Sequence, residues 1–150
     1  MSGFSYQQQT DISAEALMAV IVDFSSYPQF LSSVKEAQIK KRKAPNWEVQ
    51  FSLEVIRSFE YTLSIEQRGE YEIHWSLIGG FFQKNNGYWK LTPQEQGTSI
   101  EYYIEMEMDA FLPDTIRNTL SRHRLPKMVA SFVEEARRRI IVSKIDLSDN

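Results

Sequence analysis

The chain contains no cysteine, which removes a disulfide framework, a thiolate nucleophile and any cysteine-held metal site together. Histidine is almost as scarce. His74 and His123 are the two present, and two isolated imidazoles make a poor metal site. No apolar run approaches membrane-spanning length. Met1 to Thr10 is polar and carries three consecutive glutamines, not the apolar core of a signal peptide. A surplus of positive charge is missing as well, since the net charge is −3, which argues against general nucleic-acid binding. These absences lead to the expectation of a soluble cytoplasmic protein with no cofactor, no metal, no DNA partner and no transmembrane segment.

What is present is alternation. Trp47, Val49, Phe51, Leu53 and Val55 share one parity and Glu48, Gln50, Ser52 and Glu54 the other. The same pattern runs through Phe59–Ile65, Tyr71–Leu77 and Ile100–Met108. A period of two predicts an antiparallel sheet with one covered face and one acidic, wet face. Arg68-Gly69-Glu70 and Gln94 to Thr98 read as the joints between strands. Upstream, Phe4–Thr10 reads as a polar edge strand. Asp11 or Ser13 can cap a helix carrying Ala16, Leu17, Val20, Ile21 and Phe24. Pro28 to Leu31 reads as a second short helix, and the sheet resumes near Val34.

At the other end, Val129, Phe132, Val133, Ala136 and Ile140 fall at helical spacing. Glu134, Glu135 and Arg137 to Arg139 occupy the remaining faces. Pro126 suits a first helical position and predicts a kink or break at Leu125 for any helix arriving from Pro113. A helix from Pro126 to Lys144 is roughly 27 Å long, about the width of six strands. The expected fold is therefore α+β: about seven antiparallel strands in a curved sheet, two short helices after the first strand, and a long C-terminal helix over the concave face. Residues 1–150 are read as a single domain, long enough to bury roughly two-thirds of its unfolded surface. One helix cannot cover so large a twisted face, and apolar concavities of this kind are where ligands bind.

Three stretches resemble START-like, helix-grip domains, in particular the polyketide cyclase and coenzyme-Q-binding branch. Val22-Asp23-Phe24-Ser25-Ser26-Tyr27-Pro28-Gln29-Phe30-Leu31 looks like that branch's helix-corner turn. Gly80-Phe81-Phe82 through Gly87-Tyr88-Trp89-Lys90-Leu91-Thr92-Pro93 resembles its loop and Trp-containing strand. Met128-Val129-Ala130-Ser131-Phe132 with Ala136-Arg137 is similar to its C-terminal helix. The resemblance implies the helix-grip fold. It leaves function open, because members of the superfamily range from lipid carriers to cyclases and ribosome-associated proteins.

Strand parity sends almost every carboxylate outward and leaves few polar atoms facing in: the hydroxyls of Tyr61 and Tyr102, the indole N–H of Trp75, and Arg57 if no bulge intervenes. Such a set suits holding a carbonyl or hydroxyl of an apolar ligand, such as a lipid, quinone or polyketide ring, better than catalysis. Phe51, Leu53, Leu63 and Met106 share the inward parity, Trp89 belongs to the family-like strand, and Val129, Phe132 and Val133 come from the terminal stripe. Phe81 and Phe82 cannot both face inward if extended, so at least one is expected at the rim, as a lid. Cyclase or dehydratase activity is the enzyme alternative. Arg122, Arg124, Lys127, Arg137 to Arg139 and Lys144 make the C-terminal region locally basic, which supplies a protein- or ribosome-binding alternative, although cations near a helix C-terminus are also explained by the dipole.

Overall fold

The computed structural model describes residues 3–54, 58–109, 111–119 and 122–148. Its elements are β1 (Gly3–Thr10), α1 (Ala14–Ile21), a 3-10 turn at Phe24–Ser26, α2 (Tyr27–Phe30), β2 (Val34–Lys43), β3 (Asn46–Glu54), β4 (Ser58–Arg68), β5 (Glu72–Gly80), β6 (Lys84–Gln94), β7 (Gly97–Glu107), α3 (Asp114–Thr119), a second 3-10 turn at Arg122–Arg124, and α4 (Leu125–Ser148). The seven strands form one sheet in the order β1-β7-β6-β5-β4-β3-β2, antiparallel at every pairing. Both expected short helices and the edge position of β1 are found. So is the N-cap, where Ser13 Oγ accepts from the Ala16 N–H at 3.2 Å.

The alternation sorts as read. Val49, Phe51, Leu53, Leu63, Ile65 and Ile73 are buried beneath the helices, while Glu54 and Glu60 stand exposed on the other face. β2 forms the edge opposite β1, and Lys35, Lys40, Lys41, Arg42 and Lys43 along it are all exposed. Register shifts in β2 and between Thr62 and Leu63 on β4 mark local irregularities, which bend a sheet and increase its twist. β5 pairs with β6 only from Glu72↔Lys90 to Trp75↔Gly87. Beyond that point β5 follows β4 instead, as far as Tyr61↔Gly80.

Three details of the terminal helix differ from the expectation. Leu125 is its first residue and follows directly on a 3-10 turn, so the chain is already helical at the position before Pro126. Arg137 to Arg139 lie in the middle of the helix, not at its end, so the dipole does not account for them. Glu135 is only 6% exposed. Arg138 Nη2 and Arg139 Nε reach the same Glu135 oxygen at 2.7 and 2.9 Å. Arg139 Nη2 donates to Asp23 at 2.9 Å. The run of arginines thus stitches α4 to its own buried acid and to the end of α1. Among the described residues no helix is long and apolar enough to cross a membrane.

Candidate functional site

Between the inner face of the sheet, α2 and the first turns of α4 lies a cavity of about 350 Å³, within the ordinary size range of small-molecule sites. Its position follows from where α4 makes contact. Phe132 meets Trp89, Tyr27 and Phe30 with ring centroids 4.9, 5.1 and 5.1 Å apart. Leu125 and Met128 line the space next to it. Strands splayed around one helix leave a void that these side chains do not fill.

Of the predicted residues, Phe51, Leu53, Tyr61, Leu63, Trp75 and Phe82 line this cavity, as do Trp89, Tyr102, Met106 and Phe132. Three do not. Val129 and Val133 are buried but sit away from the void. α4 also packs against α1, and a helical stripe wide enough to face two neighbours presents only one edge to the cavity. Phe81 turns away and lays its ring 4.2 Å from that of Phe59, while Phe82 packs 4.9 Å from Tyr61. Phe82 is thus buried wall, with Phe81 backing it from outside. The backbone arranges this at Gly80, whose φ of +112° few other residues adopt and whose missing Cβ leaves room for Tyr61. Arg57 lies outside the described residues.

Residues not nominated complete the wall. Tyr27, drawn in by the helix-corner turn, donates its hydroxyl to the Ile21 carbonyl at 2.5 Å, so its polar end is committed to the fold. Asn85, 5% exposed, accepts from Trp75 Nε1 at 3.0 Å through Oδ1. It shares the parity of Trp89 on β6, a strand whose alternation the sequence reading did not follow. Ser32, Ser33, Arg124, Lys127 and Ser131 give the cavity its polar margin. Arg124 and Lys127 are exposed.

The chemistry of the interior is that of neutral hydroxyls. Burial, helped by the nearby Tyr61, pushes the Tyr102 phenol far above its usual range. Burial alone does the same to Tyr61. Both hydroxyls therefore stay protonated at any physiological pH. Among the described residues neither makes a hydrogen bond, and no carboxylate or imidazole lines the cavity. His74 lies on the opposite face as parity predicts, 2.9 Å from Glu72 and beside the Tyr88 ring, and His123 is exposed. Among the described residues no group of three or more His, Asp or Glu is placed to hold a metal ion.

Comparison with known proteins agrees with this geometry. Residues 10–133 match the family described as polyketide cyclase / dehydrase and lipid transport. The ribosome association toxin RatA of Rickettsia prowazekii (strain Madrid E) is 26% identical over 145 residues, covering 91% of this chain and 97% of that one. A START superfamily protein from Mycobacterium smegmatis superposes with a TM-score of 0.79 at 18% identity, over 92% of this chain and 99% of the other. The Zhui aromatase/cyclase from Streptomyces sp. R1128 does so with 0.77 at 15% identity, over 92% and 94%. At such identities the two structures speak for the fold.

Proposed function

The chain belongs to the polyketide cyclase / dehydrase and lipid transport family, and from that premise we propose that it binds a hydrophobic small molecule in the cavity beneath α4. The observation that carries the reading is an apolar space of about 350 Å³ into which Tyr61 and Tyr102 bring hydroxyls with no hydrogen-bond partner among the described residues. An apolar body fills such a space and one or two oxygens meet the hydroxyls, a description that suits a lipid, a quinone or a polyketide ring. The family match supports it, and a cytoplasmic location accords with it.

Native mass spectrometry of protein purified from its own host tests the proposal by detecting a co-purifying apolar molecule. Added quinones are expected to quench Trp75 and Trp89 fluorescence and to raise the melting temperature through linkage. Tyr102→Phe is expected to weaken quinone binding by about 1 kcal/mol, the worth of one hydrogen bond. An empty native protein that no quinone stabilises would overturn the reading. Multiple-turnover conversion of a polyketide, lost in Tyr61→Phe, would replace it with the cyclase alternative.

The Rickettsia relative supports a second reading, association with the ribosome. Of the basic residues in the C-terminal region, Arg124, Lys127 and Lys144 are exposed, while Arg137 to Arg139 are engaged within the chain. Co-sedimentation with ribosomal particles tests it, with loss in an Arg124→Glu, Lys127→Glu variant as the expected outcome. No co-sedimentation at low salt would rule it out.

A further inference from the structure

Asn85 is a carboxamide in a wall otherwise built largely from rings and aliphatic groups, and it is 5% exposed. Its neighbours decide which way round it stands. An indole N–H can only donate, so the atom 3.0 Å from Trp75 Nε1 must be the Asn85 oxygen. The other end of the amide is therefore NH₂, a donor-only group, and among the described residues it makes no hydrogen bond. Asn85 lines the cavity beside Met106, its register partner on the neighbouring strand β7.

The fold goes to some length to keep this arrangement. Trp75 pairs with Gly87 across the short β5–β6 ladder. A Cβ on Gly87 would come within 2.7 Å of Trp75 Cζ2 and would also strike the Tyr103 carbonyl. Only glycine lets the indole lie across β6 and reach the amide two residues away. The result is an oriented donor in the wall of a largely apolar cavity, free to meet an oxygen that enters it.

We propose that Asn85, set by Trp75 and Gly87, is a specificity-determining residue that donates its side-chain N–H to an oxygen on the body of the ligand, so that the cavity selects ring ketones or quinones over hydrocarbons of the same shape. The proposal rests on the reading of the cavity as a ligand site. A hydrocarbon there leaves the amide unsatisfied, whereas a carbonyl oxygen completes it. The hydroxyls of Tyr61 and Tyr102 can turn to donate or accept. The amide cannot adapt in this way while Trp75 holds its oxygen.

The test uses two rigid tricyclic probes that differ only in one group, 9-fluorenone with a carbonyl and fluorene with a methylene. Calorimetric titration of the full chain is expected to show fluorenone bound roughly fivefold more tightly, the contribution of one hydrogen bond. In Asn85→Leu and in Trp75→Phe the ratio is expected to fall towards one. Should either variant fold poorly, the wild-type protein labelled with ¹⁵N-asparagine gives the answer. The assigned Asn85 side-chain amide resonances move downfield with fluorenone and not with fluorene. Equal affinity for the two probes, Asn85 resonances indifferent to the carbonyl, or a preference that survives Asn85→Leu would overturn the assignment and leave the cavity reading standing. Binding of neither probe would count against the cavity reading itself, and this assignment with it.

Discussion

The Arg137 guanidinium grips Asp11 with both prongs, Nη2 to Oδ1 at 2.9 Å and Nη1 to Oδ2 at 3.2 Å. Asp11 lies just before α1, and Asp23, which Arg139 reaches at 2.9 Å, lies just after it. Two arginines of one helix turn therefore fasten α4 along α1 at both of its ends. The outer pair is solvent-exposed and adds little stability of its own. It joins two elements 126 residues apart in the chain.

Glu135 makes folding acid-sensitive. Hydrogen bonds from Arg138 and then Arg139, working against the cost of burial, hold its carboxyl at about 2, below the ordinary 4.5. The unfolded chain thus takes up the proton first as pH falls. The stabilisation is complete above about pH 5 and declines through the window from 4.5 to 2, and it is on the order of 3 kcal/mol. Urea unfolding between pH 7 and pH 3 is expected to show a shallower slope in Glu135→Gln than in the wild type. A residual slope remains from Asp11, Glu15 and Glu105, whose carboxyls are held low by Arg137, Tyr71 and Lys84.

Phe132 joins the helix to three aromatic neighbours and is 3% exposed. Phe132→Ala is expected to cost about 3–5 kcal/mol in chemical denaturation, and to enlarge the cavity enough to relax its selection by size. Loss below 1 kcal/mol would mean that α4 is not seated on Trp89 as described.

Tyr27 and Tyr102 differ in what their hydroxyls do. The Tyr27 O–H is spent on the Ile21 carbonyl, so Tyr27→Phe is expected to lose about 1–2 kcal/mol of stability by leaving that acceptor unpaired. The Tyr102 O–H meets no described partner, so Tyr102→Phe is expected to melt at the wild-type temperature or above it. Thermal scans of the two variants without added ligand make the comparison.

Much of the fold was legible because a one-sided antiparallel sheet writes its period of two plainly, as Val49-Phe51-Leu53 and Leu63-Ile65 do. β6 hides its period. Its inner face runs Asn85, Gly87, Trp89, Leu91, and a polar residue and a glycine in the first two places break the apolar signal just where the donor sits. Val129 and Phe132 belong to one helical stripe, and periodicity cannot tell which of them faces a void. That depends on where α1 lies. The arginines of α4 read as an open cationic run because their partners Asp11 and Asp23 are 126 and 116 residues distant. At least one of Phe81 and Phe82 reads as a rim residue in the sequence, whereas Phe82 is buried wall and Phe81 packs on Phe59 and Phe82. Gly80 decides which of them becomes wall, and no local pattern announces its φ.

The sheet does not close: among the described residues it ends in β1 and β2, and these two ends are unlike. Along β2 five cations stand exposed from Lys35 to Lys43, and an edge rich in charge of one sign disfavours pairing with a second copy of itself. β1 carries no charged residue between Gly3 and Thr10. Protection against strand-to-strand aggregation is therefore concentrated at one edge. Acetylation or neutralisation of the β2 lysines would weaken that protection, Arg42 alone keeping its charge, and would make the two edges more alike.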